Sequence, residues 1–101
     1  MKQFLALTLF ISTAYGWCYP WQSSGTINVC KQEGKQDCRG VSSGDTCVNL
    51  NGGPFVSGFA GQSEACKIFS DVDCKGTSNP VDQSGWNKFA FAARSIECPC
   101  V

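Results

Sequence analysis

Apolar residues along this chain come in short groups separated by turn formers, with one exception at the N-terminus. Val41, Val48 and Leu50, then Phe55, Val56 and Phe59, then Ile68, Phe69 and Val72, then Val81, then Phe89, Phe91 and Ile96 mark the groups. Between them stand Ser23-Ser24-Gly25, Ser42-Ser43-Gly44-Asp45, Asn51-Gly52-Gly53-Pro54, Gly76-Thr77-Ser78-Asn79-Pro80 and Ser84-Gly85. Short apolar runs bounded by Gly, Asn, Asp, Ser and Pro predict strands and tight turns. The expected strands cover 27–30, 46–50, 55–59, 66–70, 88–92 and 94–98. Only 60–69 comes near a helical period, and 87–94 suits either a helical turn or a strand. Val48, Leu50, Ile68, Phe89, Phe91 and Ile96 are assigned to the core. The predicted class is all-β, a small sandwich or barrel.

The exception is Phe4 to Ile11, an apolar run broken only by Thr8. Lys2 precedes it, and Ala14 and Gly16 place small residues three and one positions before Trp17. This is the pattern of a secretory signal peptide over 1–16; a cut after Ala14 fits almost as well. The run is too short to span a bilayer. The expectation is therefore a secreted, extracellular protein of one domain, 17–101, with no membrane span.

Secretion changes how the cysteines read. All eight lie after the leader: Cys18, Cys30, Cys38, Cys47, Cys66, Cys74, Cys98 and Cys100. An even number in a short secreted chain predicts a disulfide framework, here four bridges with 105 possible pairings. There is no adjacent Cys-Cys and no Cys-x-x-Cys, so neither doublet-based scaffolds nor the usual zinc and redox signatures fit. Cys98-Pro-Cys100 is read as two cysteines with separate partners. Cys100 would tie down a tail that otherwise frays.

Candidate chemistry is thin. The chain has no histidine, which removes Ser-His and Cys-His nucleophile pairs and His-ligated zinc. After the leader there are seven basic and eight acidic residues, scattered rather than clustered, so no nucleic-acid partner is expected. No carboxylate pair stands out as a hydrolase centre. Asp71 and Asp73 flank Val72, and on an extended strand they would share a side suited to calcium. A solvated turn explains them more simply. No metal, no cofactor and no enzymatic activity are assigned. Trp17, Tyr19 and Trp21 make an aromatic start, and Trp86 stands apart. These four are the candidate binding surface, against a reading in which they cap the core.

A partial repeat links the two halves. CKQEGKQDCRG at 30–40 and CKIFSDVDCKG at 66–76 share five identities and a basic match at an offset of 36. With its leader, WCYPW, CVNL at 47–50, CKIFSDVDCKG and FAARSIECPC at 89–100, the chain resembles small secreted cysteine-rich proteins of filamentous fungi, the candidate effectors. The tract from Cys66 to Cys98 also resembles one Greek-key motif of βγ-crystallin-like and killer-toxin-like proteins, with Phe69, Gly76 and Ser95 at matching positions. That resemblance implies two Greek-key-like halves. It implies no calcium site: the first half has Glu33 where Phe69 would match, and the chain departs from the paired Asn/Asp-then-Ser signature. The expected function is surface recognition of a host or competitor molecule, protein or cell-wall glycan, by a monomer. The alternatives are an antimicrobial or killer-toxin-like protein and a carbohydrate-binding module.

Overall fold

The computed structural model describes residues 18–101, so the leader assigned to 1–16 and Trp17 lie outside the described residues. The strands are β1 (Thr26–Gln32), β2 (Gln36–Ser42), β3 (Cys47–Asn49), β4 (Ser57–Ala60), β5 (Cys66–Asp71), β6 (Lys75–Val81) and β7 (Ser95–Glu97). A 3-10 turn, Val72–Cys74, joins β5 to β6. The strands form two antiparallel sheets, ordered β2-β1-β4 and β3-β7-β5-β6, and neither closes into a barrel. The core lies between them. Alternation turns Ile27 and Val29 inward from β1, and Cys66 and Ile68 inward from β5. Ile96, Phe55 and Phe89 complete it, while Val48, Leu50 and Phe91 are partly buried against it.

Each half has a Greek-key-like order, with a segment that crosses to the other sheet. In the first half β4 returns beside β1, while β3 crosses to pair with β7. In the second half β7 returns beside β5. The segment at Trp86 crosses the other way and pairs with Gly58 of β4 through two backbone hydrogen bonds of 2.9 and 3.2 Å.

The halves match in backbone detail, at a register the sequence repeat misses. Gly34, Lys35 and Asp37 have φ of 78°, 62° and 59°; Asp73, Cys74 and Gly76 have 60°, 55° and 83°. These triplets lie 39 positions apart rather than 36. Each hairpin is clasped by a buried serine from the returning strand. Ser57 Oγ accepts from Lys35 N–H at 3.1 Å and donates to Gln32 O at 2.6 Å. Ser95 Oγ accepts from Cys74 N–H at 2.9 Å and donates to Asp71 O at 2.6 Å. The residue matching Phe69 in the first half is therefore Cys30, which faces Ser57 as Phe69 faces Ser95, and not Glu33. Gly76 occupies the left-handed region with Ser70 Oγ and the Asp71 carboxylate against its Cα, where a Cβ would collide.

All eight cysteines pair, as Cys18–Cys100, Cys30–Cys38, Cys47–Cys74 and Cys66–Cys98. The two Cys-x7-Cys units behave differently. Cys30 and Cys38 close their own hairpin, whereas Cys66 and Cys74 reach across to Cys98 and Cys47. Four disulfides fit an oxidising, extracellular setting.

Three strand expectations change. Residues 88–92 form bends rather than a strand, because Phe89 N–H is taken by Val56 O and the chain there fills the end of the sandwich. Strand β4 starts at Ser57, with Phe55 bridging Ala93 alone. Strands β2 and β6 lie outside the expected strand ranges, although cysteines eight apart, with Gly just after the second, suit two short strands joined by a tight turn, as each hairpin shows. Both lie at sheet edges, and most of their residues face solvent, so neither carries an alternating pattern. Pro80 is tolerated in β6 because an edge strand need not donate on its outer side.

Candidate functional site

The aromatic segment is built by a turn and held at its root by the C-terminus. Pro20 occupies the second position of a four-residue turn, where its fixed φ is favourable. Gln22 N–H donates to Tyr19 O at 2.8 Å, and Gln22 Oε1 accepts from Tyr19 N–H at 3.1 Å. The turn brings Tyr19 and Trp21 ring to ring, with centroids 4.7 Å apart and planes within 4°. Cys18 is bonded to Cys100. Ser23 and Val101 exchange backbone hydrogen bonds of 2.7 and 2.8 Å, and Gly25 N–H donates to Pro99 O at 2.8 Å. Gly25 is required there, since a Cβ would strike the Pro99 carbonyl. The result is a short arm fixed to the body, with Tyr19 49% and Trp21 77% exposed.

Trp86 is placed elsewhere. It is half-buried, packs against the core and donates its indole N–H to Pro80 O at 2.9 Å. The turn before it is an Asx turn. Asp82 Oδ1 accepts from Ser84 Oγ at 2.8 Å and from Gly85 N–H at 2.9 Å. These donors hold the Asp82 carboxyl below the ordinary carboxylate range, with the Ser84 hydroxyl as the larger cause.

Asp71 and Asp73 do not share a strand face, which corrects the premise of the calcium reading. Strand β5 ends at Asp71, and Asp73 sits in the 3-10 turn at positive φ. The Asp73 carboxylate instead accepts from Asn49 Nδ2 at 3.0 Å, while Asp73 N–H donates to Asn49 Oδ1 at 2.7 Å. Gly34 N–H, one repeat earlier, likewise reaches Asn87 O at 2.8 Å. Among the described residues, no three of His, Cys, Asp and Glu are placed to share a metal ion.

Two concavities stand out among the described residues, the first of them beside the Pro99 anchor of the arm. One, about 250 Å³, has a mixed lining of Asp45, Lys67 and Glu97 with Ala65, Cys98 and Pro99. The other, about 270 Å³, lies between the β3–β4 connection and the approach to β7, with Phe55 in its floor and Arg94 at its side. Neither is legible in the sequence, because each is assembled from segments twenty or more residues apart. Sequence reasoning also missed Ser57; an offset of 39 applied to the repeat would have aligned its hairpin with that of Ser95. Comparison with protein-family models, with curated proteins and with solved structures finds no match.

Proposed function

We propose that this is a secreted recognition protein of the fungal effector type, which binds a host or competitor molecule outside the producing cell and performs no chemistry. The observation that carries this reading is the Tyr19–Trp21 stack. A tryptophan 77% exposed on a covalently pinned arm is apolar surface held where solvent gains nothing from it. Trp and Tyr bury about 150–250 Å² each when covered. At roughly 25 cal/mol per Å², covering the exposed part of Trp21 would release about 3–5 kcal/mol before association costs, the scale of an interface hot spot.

Four bridges and the secretory leader support an extracellular place of work. The non-catalytic reading is supported by the lack of histidine and by the position of Asp82 at a structural turn, away from both concavities. Near-zero charge argues against a membrane-disrupting toxin, since membrane-active peptides are typically cationic. A second reading, glycan binding, is favoured by the same pair, because aromatic faces stack on sugar rings; retention on chitin, glucan or cellulose, lost in Trp21→Ala, would select it.

The test applies oxidised and reduced protein to intact host tissue. The reading predicts saturable surface binding and a response from the oxidised form alone. Equal null results across hosts, with no bound component recovered, would overturn it.

A further inference from the structure

We propose that the concavity beside Arg94 is a binding site for a small apolar carboxylate, an acid with one ring or a short aliphatic chain. Its lining is apolar apart from one cation: Leu50, Pro54, Phe55, Ala92 and Ala93 surround it, with Arg94 at the side and no carboxylate among the lining residues. The walls are fixed by backbone hydrogen bonds. Ala93 N–H donates to Phe55 O, Arg94 N–H to Phe69 O and Leu50 N–H to Arg94 O, each at 2.9 Å. The site is therefore preorganised, and little ordering remains to be done on binding.

The Arg94 side chain is exposed, and among the described residues its guanidinium has neither an ion pair nor a hydrogen bond. Its backbone is held at both ends while its charge is left unanswered. A second guanidinium, Arg39, lies 5.0 Å from the centre of the Phe55 ring and donates to Asn51 O at 2.6 Å. Arg94 is thus the cation that lines the cavity, while Arg39 is engaged outside the lining. Charge complementarity calls for an anion, and planar bidentate pairing with guanidinium suits a carboxylate. The apolar lining calls for a hydrocarbon body, which bare phosphate or sulfate lacks. A volume of about 270 Å³ falls below the usual range for drug-sized sites, about 300–1,000 Å³, and limits that body to one ring or a short chain.

The test titrates the oxidised, isotope-labelled protein with phenylacetate and with hexanoate, and with the matching neutral amides, following backbone amide signals by NMR. The proposal expects saturable shifts at millimolar acid, confined to residues 50–55 and 92–94. The amides should bind about two- to fivefold more weakly, as should the acids to Arg94→Gln, as expected for one exposed ion pair. Ala92→Phe changes an exposed position and should fill the cavity, abolishing the shifts while leaving the remaining spectrum unchanged. Saturation by either acid with these controls upholds the site. Equal binding of acid and amide, shifts centred elsewhere, no saturation by either acid, or an unaltered response in Ala92→Phe would overturn it.

Discussion

Replacing Ser95 with Ala removes one oxygen and should loosen half of the molecule. Ser95 is fully buried, and its Oγ is the acceptor for Cys74 N–H and the donor to Asp71 O. Both partners belong to the β5–β6 turn, where Asp73 and Cys74 are already in the left-handed region. Without the hydroxyl, a backbone donor and a backbone acceptor lose their partner together. Each such loss costs about 1–3 kcal/mol when the group stays dry, and water entry recovers part of it. A net loss of about 2–3 kcal/mol is expected, which for a domain of this size lowers the melting temperature by roughly 10–20 °C. Urea and thermal unfolding of the oxidised protein measure it. Ser57→Ala should cost a similar amount, since Ser57 makes the same two bonds to the other hairpin. Ser78→Ala, at an exposed edge position, should change stability by less than about 0.5 kcal/mol. If Ser95→Ala unfolds like Ser78→Ala, the serine clasps are not what holds the hairpins.

Other predictions follow from the bridges, the Asx turn and the arm. Loss of Cys18–Cys100, with a separation of 82 residues, should destabilise by about 4.5 kcal/mol in the chain-entropy account, and loss of Cys30–Cys38, with a separation of 8, by about 2.5; melting of the paired Cys→Ser variants should rank in that order. Asp82, with its pKa lowered in the folded state, contributes stability present above its unfolded value and lost as pH falls through the folded one. Wild type should therefore lose more stability than Asp82→Asn below about pH 4, and equal acid profiles would contradict the turn assignment. Trp21→Ala should leave the melting temperature unchanged within about 2 °C, because the ring is mostly exposed; a large drop would mean that it packs on the body.

Legibility in the sequence followed burial. Strands β1, β5 and β7 carry inward apolar residues, Ile27 and Val29, Ile68, and Ile96, so their pattern announces them. Strands β2 and β6 do not, because an exposed edge constrains side chains weakly and leaves only backbone pairing to define it. Pairing of the cysteines was equally silent, since it depends on which loops meet. The likeness of the two halves left a trace in the Cys-x7-Cys spacing, but at the wrong offset: what the two halves share is a backbone shape at Gly34, Lys35 and Asp37 and at Asp73, Cys74 and Gly76, which different side chains satisfy. Tyr19 and Trp21 are recognisable as candidates from their clustering around Cys18. That they stack on an arm held by the far end of the chain required the Cys18–Cys100 and Ser23–Val101 connections. Arg94 drew no attention as a lone basic residue, and gains meaning only beside Phe55 and Ala93.

The central claim is that recognition runs through the pinned aromatic arm. Its most direct test compares dissociation constants on an intact host surface for the wild-type protein, Trp21→Ala, and the paired Cys18→Ser/Cys100→Ser variant. The account predicts at least about tenfold weaker binding for both variants, with the Trp21→Ala fold unchanged, as expected when a hot-spot residue worth about 2 kcal/mol or more is removed or its position released. Wild-type affinity retained by Trp21→Ala would contradict it.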